Sequence, residues 1–298
     1  MTASLATGGR VLSPASRDAT ALAHEDGIVV WVGSDAPAPT LFPDAAHTDL
    51  DGDWVAPAFA ECLAGGLDAG HAAARGVVPA GLPAPHGLDA VAARVARGER
   101  VVVDEGEDPA ALATELSRLA DELGGPAVAR CTPTLIGTAD LPDDVLAALA
   151  AVGAALVLRP LVDDLTGTDL VRLAAAGITL ATSSRLGAEV RPWEAVRAVT
   201  DIDGGRGLSP RAAFTSATRG ARRAAGARDG AAGTLSPGAP ATYARWRTGE
   251  LVMVAADDAV QRWSTDPRSG VPPMPDLSGP PPGLRGLVVD GHPRAHTA

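Results

Sequence analysis

From about Ala56 to Ala232 the chain repeats one unit, a short apolar run followed by an amphipathic helical pattern, at intervals of roughly 25 residues. Val101–Val103, Ala127–Cys131, Ala155–Leu158 and Ile178–Ala181 read as strands. Helices are predicted over Asp108–Leu123, Leu141–Val152, Thr168–Ala176, Pro192–Val199 and Ser209–Ala217. Asp108 and Ser209 stand at N-caps before Pro109 and Pro210, and Gly124, Gly153 and Gly177 stand where helices stop. Strands separated by helices cannot pair as hairpins. They pair in parallel through right-handed crossovers, which restricts the fold to a barrel or a doubly wound sheet.

The ends have a different texture. Ala19–His24 and Gly27–Val32 flank Glu25-Asp26-Gly27 and predict a hairpin, and His47–Leu50 and Trp54–Val55 continue it. Ala241–Trp246, Leu251–Val254 and Gly286–Val289 are strands near the other end, and Ser264–Leu284 is too rich in Pro and Gly for regular structure. Strand texture at both ends predicts one small β-domain built from 1–55 and 233–298, beside a (β/α) domain over 56–232.

Composition narrows the chemistry. The formal net charge of -11 argues against a nucleic-acid surface. The chain contains no lysine, which excludes a Schiff-base lysine, a carbamylated lysine bridging metals and a P-loop lysine. Cys62 and Cys131 lie far apart and outside any CxxC pair, so they are expected to be reduced and buried. No basic leader and no membrane-length apolar run is seen, and a soluble cytoplasmic protein is expected.

Several stretches carry a family likeness. Asp26–Gly33 (DGIVVWVG) and Asp49–Gly65 (DLDGDWVAPAFAECLAG) resemble the opening of amidohydrolase-superfamily enzymes, "DGRIVWVG" and "DLxGxxVxPGFVDxHxH". Gly207–Thr215 (GLSPRAAFT), Ala217–Gly220 (ATRG), Gly233–Ala241 (GTLSPGAPA), Val288–Gly291 (VVDG) and the Pro192–Val196 helix resemble the family's downstream motifs, in order. The branch related to N-substituted formamide deformylase is the most similar. The resemblance implies a (β/α)₈ barrel with a composite β-sandwich made by the two termini, and hydrolysis of C–N bonds by a water activated on zinc or another divalent metal.

The same alignment tests the metal ligands. The HxH pair falls on Leu63 and Gly65, the strand-five histidine near Asp104, the strand-six histidine near Thr132, and the strand-eight aspartate on Arg185. At most one usable ligand remains, so no bound cofactor is expected. A regrouped site from His71, His86 and Asp104 stays open; His24, His47, His292 and His296 lie in the terminal regions. Only about thirty residues join the first matched strand to the fifth, with one strand at Gly76–Ala80 and one helix at Leu88–Arg97. The count predicts an incomplete, TIM-barrel-like (β/α) domain.

The strand ends gather polar groups. Asp104, Arg130, Arg159, Ser183 and Arg185 form a candidate pocket for a small anionic ligand. The competing reading pairs the arginines with the acidic turn of Asp104, Glu105, Glu107 and Asp108. Ser183 and Ser184 lack a histidine partner or a GxSxG elbow, Cys62 reads as core and Glu61 as structural.

The reading that follows is a non-catalytic relative with a binding or assembly role. The alternatives are a hydrolase with a relocated or metal-free site, and a scaffold subunit that completes a partner's barrel. An open barrel has unpaired strand edges, which predicts a homo-oligomer or a protein partner covering them. Light scattering on the purified protein is expected to return a multiple of the monomer mass; a stable monomer at micromolar concentration contradicts the homo-oligomer.

Overall fold

A computed structural model describes residues 3–104, 106–137, 141–249, 251–252 and 273–294. Glu105, Val254, His296 and the first part of the Ser264–Leu284 segment lie outside the described residues. The chain divides into two compact units: one of Ala60–Ala72 and Val77–Arg228, the other of Met1–Phe59, Ala73–Gly76 and Asp229–Ala298.

The α/β unit is organised on six short strands: β1 (Phe59–Glu61), β2 (Val77–Pro79), β3 (Val102–Val103), β4 (Thr134–Ile136), β5 (Ala155–Leu158) and β6 (Thr179–Thr182). Strands β3 to β6 form a parallel sheet in the order β6-β5-β4-β3. Strand β2 pairs with β1. The segment after β2 continues past β1, with Ala80 N donating to Glu61 O and Leu82 N to Cys62 O, and reaches β3, where His86 N donates to Val102 O.

Period-two alternation sorts the side chains. Val102, Ile136, Ala155, Val157 and Ala181 share one apolar cluster with Ala60 and Cys62. Leu156 and Leu158, at the alternate positions of β5, are fully buried as well. The helix Pro109–Leu123 buries Leu112, Leu116 and Leu119 at helical spacing, and Asp108 caps it by accepting from Ala110 N at 2.9 Å. The segment 210–224 packs so closely that a Cβ on Gly220 would lie 2.1 Å from the Leu180 carbonyl oxygen.

Two expectations need correction. Residues 127–131 are not a strand: Gly125–Arg130 is a helix, and the strand is Thr134–Ile136. Gly124, at φ +87°, ends one helix, and Pro126 sits in the first turn of the next, where its missing N–H costs nothing. The β-branched Thr134 and Ile136 then favour extended backbone. The Ser264–Leu284 stretch also holds order within its described part: Met274–Pro275 pairs with Leu251–Val252, and the strand Gly283–Val289 begins inside it.

In the terminal unit, one sheet has Ser4–Thr7 between Ala21–Glu25 and Ala46–Asp49, with Ile28–Gly33 beyond. The turn before Ile28 has Asp26 at φ +49° and Gly27 at φ +80°, as a tight hairpin requires. In the other sheet Trp54–Pro57 pairs antiparallel with Tyr243–Arg247, which pairs with Gly283–Val289. Leu22, Val29, Val55, Tyr243 and Val288 share a core cluster across the two sheets. Beside it the buried Asp53 carboxylate takes Arg245 at 2.9 Å and Arg247 at 3.3 Å. No helix among the described residues is long and apolar enough to cross a membrane.

Three outcomes test this packing. Leu156→Ala, in the sheet interior, is expected to cost about 2–5 kcal/mol in urea unfolding. Gly220→Ala is expected to cost about 1–3 kcal/mol, because backbone must move. Burial and the nearby His292 hold the His24 imidazole below its ordinary value of 6.5, so it folds neutral while the unfolded chain takes up a proton. Stability therefore falls as pH drops through 6.5 toward the folded value and levels off below it. Thermal melts of wild type against His24→Gln over that window should show the slope only in wild type.

Candidate functional site

In a sheet of parallel strands, loops at the carboxyl ends carry the side chains that meet a ligand. Here those ends belong to β1, β3, β4, β5 and β6. Among the described residues no backbone ladder joins β1 to β6, which leaves a seam between them.

Side chains span the seam. Glu61, the last residue of β1, is fully buried. Its Oε1 accepts from Ser183 Oγ at 2.8 Å and Leu63 N at 2.8 Å, and its Oε2 accepts from Ser184 N at 2.8 Å and Ser184 Oγ at 2.9 Å. Each oxygen thus has two donors, the full acceptor capacity of a carboxylate. Ser183 and Ser184, both buried, follow directly on β6. Across the same seam Arg185 Nη1 donates to Leu63 O at 2.7 Å and Gly65 O at 2.5 Å, and its Nε donates to Gly187 O.

The other predicted residues are placed as follows. Arg159, just past β5, forms a two-pronged pair with Asp163, at 3.0 Å from Nε and 2.7 Å from Nη2. Both side chains are largely withdrawn from solvent, at 18% and 10% exposure. Internal pairing of Arg159 thus includes Asp163, which lies outside the acidic turn. Asp104 follows β3 at the same end of the sheet. Arg130 does not join them: it is exposed and ends the helix that precedes β4, at the opposite end of the sheet. Thr132, at φ +44°, lies in that same turn, so the position near the family's strand-six ligand is not at a carboxyl end. Both misplacements follow from the misassigned strand.

Among the described residues the histidines do not regroup with other ligand types into a metal-holding cluster. His86 accepts from Val102 N at its Nε2 at 3.1 Å and lies 3.1 Å from Gly87 O through Nδ1. The first bond puts the proton on Nδ1, and the ring serves as a piece of sheet edge for β3. His71 lies on the short helix Ala69–Ala73. Among the described residues no group of three or more His, Cys, Asp and Glu could hold a metal ion. With a guanidinium set on the carbonyls of Leu63 and Gly65, these residues do not fit a divalent metal. Cys62 is buried and free; burial, reinforced by Glu61, pushes its thiol well above the ordinary value and keeps it protonated.

Sequence reasoning missed three features: the saturated Glu61 carboxylate, the Arg159–Asp163 pair and the backbone role of His86. Only the second had a local signal, an arginine and an aspartate four apart after a strand.

Solved structures share this architecture. N-isopropylammelide isopropylaminohydrolase from Burkholderia multivorans is 17% identical, with a TM-score of 0.59 over 98% of this chain and 98% of that chain. E. coli guanine deaminase is 12% identical, with a TM-score of 0.60 over all of both chains. Helicobacter pylori aminofutalosine deaminase is 10% identical, with a TM-score of 0.60 over 99% of this chain and 100% of that chain. The fold is that of amidohydrolase-superfamily structures. At these identities the likeness concerns the amidohydrolase fold alone. No protein-family model and no curated protein matches the sequence.

Replacing Glu61 by Gln trades one acceptor oxygen for a donor facing Ser and backbone donors. The cost should be about 1–3 kcal/mol for each donor left unpaired. Ser184→Ala, which removes one hydroxyl and leaves the amide bond, should cost about 1 kcal/mol. Equal, negligible losses in urea titrations would mean that the seam carries no stability.

Proposed function

We propose that this protein is a non-catalytic member of the amidohydrolase fold, in which an arginine and a structural glutamate occupy the place where the fold's enzymes hold a metal, and that it serves in binding or assembly. The observation that carries the reading is Arg185. By the sequence resemblance it stands for the metal-binding aspartate of the last strand, and its guanidinium donates to the carbonyls of Leu63 and Gly65, which stand for the two histidines of the first. A cation held by protein dipoles needs no metal, and it repels one. On this reading β1 to β6 are what remains of a (β/α)₈ barrel, and the terminal unit is its composite β-sandwich. The formamide-deformylase branch is the source we favour.

The pocket at the carboxyl ends is then a binding site without a reaction. Asp104 and Arg185 are its candidate residues, with the Arg185 guanidinium already donating to Leu63 O, Gly65 O and Gly187 O. Ser183 is committed to Glu61 and Arg159 to Asp163. A small anion is the ligand class that a guanidinium would recognise. A homo-oligomer or protein partner covering the strand edges belongs to the same proposal, as does a scaffold role in which this chain completes a partner's barrel.

A second reading has support in the neighbours' names, a guanine deaminase and an isopropylaminohydrolase. It makes this chain a hydrolase with a relocated or metal-free site. Metal analysis of the purified protein, with turnover measured on a panel of amides, cyclic amides and amino-heterocycles, separates the two. The first reading expects less than stoichiometric zinc, iron and manganese and no turnover. Stoichiometric metal with hydrolysis overturns it. Turnover without metal that is abolished by Asp104→Asn or Arg185→Gln establishes the second.

A further inference from the structure

At the opposite end of β6 from Arg185, the helical segment of Pro210–Thr215, Ser216–Gly220 and Ala221–Ala224 borders a cavity of about 570 Å³. Its far wall is the chain entering β6, from Gly177 to Leu180. On the helical side the lining positions run Ala212, Thr215, Ser216, Arg219, Gly220 and Arg223, spaced by three and one in alternation, which is a single helix face. The middle piece, Ser216–Gly220, is a π-turn, and it is where the helix lies against the Leu180 carbonyl. Such turns re-aim side chains and recur at ligand sites.

The charge of this cavity runs against the charge of the chain. Acidic residues outnumber basic ones 36 to 25, yet Arg211, Arg219 and Arg223 line the cavity and, among the described residues, no Asp or Glu does. None of the three has a side-chain hydrogen bond or ion pair to another described residue. For Arg219 this is costly, because its Nε is shielded from water and has no acceptor. A solvated basic face leaves its donors in water; this donor is not. Ser209, Thr215 and Ser216 add hydroxyls to the lining, although Ser209 also caps the helix by accepting from Ala212 N at 3.3 Å.

We infer that this cavity binds a small organic phosphate through Arg211, Arg219 and Arg223. Three planar guanidinium groups suit an anion with several oxygens and two or more charges, and Arg219 Nε gains the acceptor it lacks. The site is separate from the pocket at the carboxyl strand ends and does not depend on the functional reading given above.

Calorimetric titration of the full chain at low salt with inorganic pyrophosphate tests it, with citrate as a polycarboxylate of similar charge. Pyrophosphate is expected to bind wild type and the exposed-residue control Arg130→Gln equally, to bind citrate-competitively only at a large excess of citrate, and to weaken by about tenfold or more in Arg219→Gln/Arg223→Gln. Should the double variant fail to fold, Arg211→Gln, at an exposed position, is expected to weaken binding several-fold while leaving the thermal melt unchanged. No binding at ~1 mM, equal affinity in the folded variants, or citrate binding tighter than pyrophosphate overturns the assignment.

Discussion

Glu61 is the residue on which the α/β unit turns. Burying a carboxylate is expensive unless every lone pair finds a donor. Here the donors come from two places: Leu63 beside it on the first strand, and Ser183 and Ser184 just past the last. The same bonds that make the charge tolerable therefore tie the first strand to the sixth, where no backbone ladder joins them among the described residues. A complete (β/α)₈ barrel closes by ladders all round, at a strand number matched to shear and tilt. Here the strands β1 to β6 form a four-stranded sheet and a two-stranded one, and a short polar bridge joins β1 to the end of β6.

This arrangement bears directly on chemistry. Once Glu61 has fixed Ser184, the next residue, Arg185, is delivered onto the carbonyls of Leu63 and Gly65. A guanidinium there satisfies two carbonyls of the segment that follows the first strand. The run Ser183–Arg185 thus ties the segment of the first strand to the end of the sixth through side chains. The fold is preserved, and fold by itself does not carry activity.

Much of the architecture was legible in the chain. The strand–helix rhythm, the caps at Asp108 and Ser209, the Asp26-Gly27 turn and the six-strand count all follow from local physical chemistry. The failure at 127–131 was local as well: AVARC has enough apolar character for a strand, and what decided for helix was Pro126 in the first turn after a positive-φ Gly124. That error carried Arg130 and Thr132 to the wrong end of the sheet. The Glu61 network was not legible, because its serine partners lie more than 120 residues away and a Ser-Ser pair carries no period. The cationic cavity was hidden for a related reason: Arg211, Arg219 and Arg223 look like an ordinary solvated face until the wall of β6 is set opposite them.

The bridge at the seam can be observed residue by residue through amide hydrogen exchange. Leu63 N and Ser184 N both donate to the buried Glu61 carboxylate. If that carboxylate holds the first and last strands together, both amides exchange only with global unfolding, as slowly as Leu156 in the sheet interior. Exchange of Leu63 and Ser184 at the rate of exposed loop amides, with Leu156 still protected, would show that the seam opens freely and that Glu61 does not close it.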